Sequence, residues 1–315
     1  MTATNSLYVE PARVTTLRIS PDEHLRECAL REHFARFWAT TPGEPRAVYD
    51  AFIGATPLAA DTAVRAVRTA TVSGWWVTPA DALPGQTMLY LHGGGYVQGS
   101  AHAYRGFVSQ IAQRTRTAAL IIDYPLAPES TFIQATDAAL AAWHWLIDQG
   151  HKRIAMVGDS AGGGLALATL ATLSKSAGAI APLAGVVFSP WVDLTFSGAS
   201  MTDPNVNDPL INYAYLQQCA CQYLAGADPT DPRASPLFAA LDSLPSLLIQ
   251  AGSDERLLDD SRQFAARASQ AGAQVELEVW EGLHHVFQLD LAHLRSSATA
   301  LDRAASFLCR AFDAA

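Results

Sequence analysis

A serine between glycines stands at Gly158-Asp159-Ser160-Ala161-Gly162. The apolar run Ile154-Ala-Met-Val precedes it and a helix-forming stretch follows, which places Gly-x-Ser-x-Gly on a tight turn from strand to helix. Such a turn lifts the serine oxygen above the sheet, at a helix N-terminus whose amides favour negative charge. The chemistry this suits is attack by the Ser160 hydroxyl on a carbonyl carbon. The plainer alternative is a glycine-rich turn with no chemical task.

That attack creates an oxyanion, and a second motif can receive it. His92-Gly93-Gly94-Gly95-Tyr96 follows the apolar run Met88-Leu-Tyr-Leu. Consecutive glycines let the backbone approach a ligand closely. The amides of Gly94 and Gly95, joined by that of Ala161 just after the serine, can converge on one oxygen. A phosphate-binding glycine loop needs a following Lys-Ser/Thr or a Gly-x-Gly-x-x-Gly spacing, and neither is present. His92 reads as structural, ordering the loop.

Serine is a weak nucleophile at neutral pH and needs a base, itself oriented by an acid. On this type of turn the acid and then the histidine follow the serine along the chain. The run Ser246-Leu-Leu-Ile-Gln-Ala-Gly ends in Ser253-Asp254, so Asp254 is the expected acid. Glu255 is adjacent but is expected to face elsewhere. Asp259 and Asp260 open the next helix and suit its dipole. Asp193, also after a strand, is the main rival. The base comes from Glu281-Gly282-Leu283-His284-His285-Val286-Phe287, where spacing alone leaves both histidines open.

Alternating elements must hold these groups. Strands are predicted at 64–68, 74–78, 88–92, 118–123, 153–158, 185–189, 246–251 and 275–280, with no strand pattern before Val64. Several are continuous apolar runs, as in parallel strands covered on both faces. Helices are predicted over 20–54, 101–114, 135–149, 162–177, 211–224, 259–271 and 293–312. The alternation gives an α/β fold: a mostly parallel eight-stranded sheet flanked by helices. Residues 191–241 break the rhythm, and an insertion of that length is usually functional. The expected organisation is an N-terminal helical cap portion (1–55), core (56–190), a second cap portion (191–235) and core again (236–315).

Half the residues are apolar, enough for a large core. With 21 basic against 30 acidic residues the net charge is −9, which disfavours nucleic acid as a partner. No apolar run reaches the ~20 residues of a membrane span. The N-terminal residues Met1 to Ser6 lack a secretory pattern, and with the four cysteines read as free thiols a cytoplasmic location is expected. No metal or cofactor motif is present.

Together the motifs resemble the hormone-sensitive-lipase-like family of bacterial esterases, within the α/β-hydrolase superfamily. The matches include His92–Tyr96, Asp123-Tyr124 with Leu126-Ala-Pro-Glu129, Gly158–Gly163, Ser189-Pro-Trp-Val-Asp193, Ser235-Pro-Leu237, Gly252-Ser-Asp254 and Gly282-x-x-His-x-Phe287. The resemblance selects His285 as the base, makes Gly94 and Gly95 the oxyanion donors, and implies a helical cap and a possible homodimer. Pro125 stands where the family usually has arginine, and Val286 where a small residue often follows the histidine. The implied substrate is a small ester of short to medium acyl chain, or a lactone. Candidate pocket residues are Phe34, Phe37 and Trp38 from the N-terminal helices and Leu210, Ile211 and Tyr215 from the insertion, with Tyr96 beside the glycines. They could equally just pack the cap onto the body. The alternatives are a non-catalytic small-ligand receptor on the same fold and an acyltransferase using the same triad.

Overall fold

The continuous apolar runs become the middle of a sheet. In a computed structural model, which describes residues 12–175 and 180–314, β4 (Gln86–Leu91), β6 (Arg153–Asp159), β7 (Ala184–Phe188) and β8 (Ser246–Gly252) are buried along almost their whole length. Around them lie β1 (Arg13–Arg18), β2 (Thr62–Arg68), β3 (Ser73–Pro79), β5 (Ala118–Ile122) and β9 (Val275–Glu281). The order across the sheet is β1-β9-β8-β7-β6-β4-β5-β3-β2. Only β3 pairs antiparallel, with β2 on one side and β5 on the other.

Helices cover both faces, as parallel strands require. These are α1 (Pro21–Thr40), α2 (Pro45–Ile53), α3 (Arg105–Thr115), α4 (Phe132–Asp148), α5 (Ser160–Leu173), α6 (Tyr213–Leu224), α7 (Leu258–Gln270) and α8 (Arg295–Asp313). Trp143 of α4, Leu167 of α5 and Phe264 of α7 belong to the core on one face, with the residues of α6. Phe107 of α3 and Leu301 of α8 belong to the core on the other. Local signals set several starts. Ser20 accepts the Glu23 amide at the head of α1, and Asn212 accepts that of Tyr215 at the head of α6. Among the described residues no helix is long and apolar enough to cross a membrane.

The sheet has nine strands among the described residues, not eight. The extra one is β1, which pairs parallel with β9 from Arg13↔Glu276 to Arg18↔Glu281. Its sequence offers only Val14 and Leu17 as large apolar residues, and Val14 is 58% exposed. An edge strand with one neighbour needs little apolar surface, so it escaped a reading based on apolar runs. Residues 13–18 therefore extend the sheet and are not part of a helical cap. The helix predicted over 162–177 is seen from Ser160 to Leu173, and Ala177 lies outside the described residues, as do Met1 to Ser6.

α1 reaches across to the end of β9. Leu30 and Phe34 pack with Trp280, Leu283 and Phe287 in a third core cluster. This brings an N-terminal helix against the loop that carries His284 and His285.

Candidate active site

Ser160 stands at the junction of β6 and α5 with φ +51°, a left-handed conformation costly for a residue with a side chain. The turn is held from several sides. The Ser160 carbonyl accepts the Trp191 amide at 2.9 Å. Its neighbour Asp159 is fully buried and accepts three hydrogen bonds: from the Tyr90 hydroxyl (2.7 Å), the Gly93 amide (2.9 Å) and the Tyr104 hydroxyl (2.9 Å). Burial raises the Asp159 pKa to about 6, and these donors pull in the opposite direction. Asp159 thus ties the Ser160 turn to the glycine loop after β4.

That loop curls tightly. The Gly94 carbonyl accepts the amides of Val97 and Gln98, and Gly94 has φ +117°. A Cβ there would fall 2.1 Å from the Gln98 carbonyl oxygen, so only glycine fits. Gly95 lies against Tyr215 and Cys219 of α6, and both glycines line the same cavity as Ser160. Ala161 follows the serine in the first turn of α5 and is buried. His92 is structural in its contacts: its Nδ1 donates to the Gly93 carbonyl (2.8 Å), and its ring stacks on Tyr124 at 4.4 Å. Burial lowers its pKa.

His285 brings its Nε2 to 2.9 Å from the Ser160 oxygen. On the other side of the ring, Nδ1 lies 3.6 Å from Glu255 Oε1. Both atoms are buried without another hydrogen-bond partner, so each is the group the other lacks. A separation of 3.6 Å is longer than a hydrogen bond, and such contacts commonly tighten when substrate fills the site. Burial lowers the His285 pKa, but Glu255, joined by the charges of Asp208 and Asp159, outweighs it and the net shift is upward.

The acid expected from the sequence, Asp254, does not take this position. Its carboxylate is 41% exposed and pairs with Arg31 of α1 at 3.1 Å. Successive residues on the turn after β8 point to opposite sides, and the inward one is Glu255. Glu255 Oε2 accepts the Gly252 amide (2.8 Å) and the Ser189 hydroxyl (2.7 Å), which leaves Oε1 for the imidazole. Ser189 Oγ also accepts the Val286 amide at 3.0 Å, linking Glu255 to the histidine loop. The rivals are engaged elsewhere. Asp193 accepts from Thr195 and Ser197, Asp260 from the amides of Val192 and Asp193, and Asp259 from the Ser200 amide.

The cavity above Ser160 measures about 430 Å³. Trp38, Leu210, Ile211 and Tyr215 line it, as anticipated, and α2 adds Val48, Tyr49 and Phe52. Three expected wall residues do not line it. Tyr96 is buried behind the glycine loop, stacked on Tyr223 with centroids 3.7 Å apart. Phe34 is buried edge-on against Phe52 and His284. Phe37 lines a neighbouring cavity instead. Helical spacing grouped Phe34 and Phe37 but could not say which side of the wall they face.

Comparison with known proteins decides the family. A family model described as alpha/beta hydrolase fold matches residues 88–289. An acetyl-hydrolase of Streptomyces hygroscopicus is 42% identical over 235 residues, covering 74% of this chain and 78% of that protein. An esterase of Acinetobacter venetianus is 35% identical over 269 residues, covering 84% and 88%. The crystal structure of an esterase from the bacterial hormone-sensitive lipase family superposes with a TM-score of 0.86 at 37% identity, covering 93% of this chain and 99% of that one.

The chain belongs to the bacterial hormone-sensitive-lipase-like esterases. It is an ester-hydrolysing enzyme of the α/β-hydrolase fold.

Beside the esterase's Ser160 site lies a second ionic network that the sequence did not reveal. His284 is fully buried, with Nδ1 donating to Glu27 of α1 (2.8 Å) and Nε2 to Asp290 (3.0 Å). Burial lowers its pKa, but the bonds to Asp290 and Glu27 prevail and hold it at about 10. Glu27 also pairs with Arg31 at 3.0 Å, and Arg31 reaches both Asp254 and the Asn207 carbonyl. The signal available in the sequence was the spacing of Glu27 and Arg31, one helical turn apart. Nothing in it names their distant partners.

Proposed function

We propose that the chain is a serine carboxylesterase that hydrolyses small esters of short to medium acyl chain, or lactones, through an acyl-enzyme on Ser160. The observation that carries this reading is the 2.9 Å approach of His285 Nε2 to the Ser160 oxygen, at a cavity that Gly94 and Gly95 also line. As Ser160 attacks the ester carbonyl carbon, its proton passes to His285 Nε2. Negative charge develops on the carbonyl oxygen, where the amides of Gly94, Gly95 and Ala161 stabilise it. The carbon–alkoxy bond breaks, and the leaving oxygen takes the proton from His285. Water then attacks the acyl-enzyme with the same base, releasing the acid and restoring the serine.

Glu255 orients the ring through Nδ1 and stabilises its charged form without taking the proton itself. The helices α1 and α2, with the segment between β7 and β8, form the cap that closes the cavity. The apolar walls suit an acyl chain, and the resemblance to an acetyl-hydrolase favours the short end of the range. The test is turnover of p-nitrophenyl acetate with covalent labelling by a sulfonyl fluoride, located by peptide mass mapping. The label is expected on Ser160, and Ser160→Ala is expected to lose both label and turnover. Turnover surviving in Ser160→Ala, or a label elsewhere that accounts for inactivation, contradicts the mechanism.

A further inference from the structure

Phe52, Ile53 and Leu289 line two cavities at once. One is the cavity above Ser160. The other, about 330 Å³, lies on the far side of these three residues, and its wall is also built from Phe34, Phe37 and Pro57. Its lining includes the exposed residues His33 and His293, so it reaches the surface. Most of its lining is apolar, and it shares three residues with the wall of the cavity above Ser160.

The three shared residues are not equally fixed. Ile53 is 2% exposed and belongs to the core beneath the sheet. Leu289 is tied through its backbone, its amide donating to Val286 and its carbonyl accepting the Thr56 hydroxyl. Phe52 is half-buried on the last turn of α2, packed against two of the core clusters and flanked by three other rings. Phe34 and Phe37 stand 5.3 Å away and Trp38 5.0 Å away, centroid to centroid. No hydrogen bond opposes its rotation, since a phenyl ring has none to make.

We propose that the Phe52 ring is the partition that sets how long a hydrocarbon chain the site accepts, and that the second cavity takes the far end of a longer unbranched chain when the ring turns aside. The inference rests on the esterase reading of Ser160 and adds the residue that limits chain length. A short ester is held within the first cavity without displacing the ring. A longer one leaves its terminal methylenes in water or displaces the ring. Each methylene buried in an apolar pocket changes kcat/KM by about tenfold or more, so removing the partition acts selectively on long chains.

The experiment compares kcat/KM for two series: p-nitrophenyl acetate to decanoate, and acetate esters of alcohols from ethanol to decanol. The quantity read is the ratio of the longest to the shortest substrate on one preparation, so a partly folded variant does not distort it. Phe52→Ala is expected to raise that ratio about tenfold or more in one of the series. Phe52→Leu is expected to raise it less, in the same direction. A rise in the first series assigns the second cavity to the acyl tail, and a rise in the second assigns it to the alcohol tail. Ala292 lines only the second cavity, so Ala292→Phe in the Phe52→Ala background is expected to return the ratio toward the original. A ratio unchanged in both series, or a rise that Ala292→Phe leaves intact, overturns the proposal. Acetate turnover that Ser160→Ala abolishes reads the esterase mechanism separately.

Discussion

His284 and His285 are neighbours in the chain, yet their surroundings give them opposite tasks. The ring of His284 meets a carboxylate at each nitrogen, Glu27 on one side and Asp290 on the other. Both nitrogens must then carry hydrogen, and the ring is locked as a buried cation. The ring of His285 meets one carboxylate and one hydroxyl, Glu255 and Ser160. It can pass through either charge state, which a general base must do. The lesson is that the partners at the two ring nitrogens, rather than burial or position in the chain, separate a structural histidine from a reactive one. The same dipeptide thereby joins two regions: the reacting groups at the sheet edge and the helix α1 that overlies them.

The comparison breaks if the two residues can exchange roles. His285→Ala is expected to reduce kcat on p-nitrophenyl acetate about 10⁴-fold or more, since members of such a triad act as a unit. His284→Asn is expected to leave the folded enzyme far more active than His285→Ala, and to act on stability instead. Removing the cation leaves the buried Glu27 with Arg31 as its partner and deprives the partly buried Asp290 of its own, a loss of up to about 3–5 kcal/mol, the scale set by deleting one partner of a buried pair. Urea unfolding at neutral pH measures it, and unchanged stability would place the network at the surface energetically.

A gentler test uses pH. The folded pKa of His284, about 10, lies above that of the unfolded chain, near 6.5. The folded state therefore binds the extra proton between those values. Its contribution is complete below the lower value and is lost as pH rises through the upper one. Stability is expected to fall from neutral pH toward pH 10, and the slope is expected to flatten in His284→Asn. An equal slope in both proteins removes His284 from the account. Smaller again is Arg31→Gln, which frees α1 from Asp254 and Asn207. It is expected to cost about 1 kcal/mol or less at the exposed Asp254 end, with its activity loss confined to KM, because α1 also carries Trp38 of the cavity wall.

The Ser160 turn, the glycine loop and the parallel core were legible because each rests on a local rule. A strained turn selects glycine around Ser160, a close backbone approach selects it at Gly94, and strands covered twice read as unbroken apolar runs. Four features were not legible, for one shared reason. Strand β1 is defined by its partner β9, the carboxylate facing His285 by which of two adjacent residues turns inward, and the cavity wall by which face of an aromatic cluster is open. Asp254 and Glu255 are consecutive carboxylates after β8. Only the tertiary placement of Ser189, Gly252 and Arg31 assigns the inward position to the longer side chain. His284 was invisible as a site because its partner Glu27 comes from α1, far away in the chain, and only folding brings it opposite Asp290 across the ring.

The most direct measurement is the pH dependence of kcat/KM for Glu255→Gln and Asp254→Asn, recorded side by side with the unaltered enzyme. Glu255 holds the His285 pKa up against burial, which lowers it. Activity of the unaltered enzyme is expected to rise with pH as His285 loses its proton, with a midpoint above the ordinary imidazole value. Glu255→Gln is expected to move that midpoint to lower pH and to cut the plateau by about 10²-fold or more, as loss of the ring's orienting acid does. Asp254→Asn is expected to leave both in place. The reverse pattern, with Asp254→Asn crippled and Glu255→Gln intact, contradicts the account.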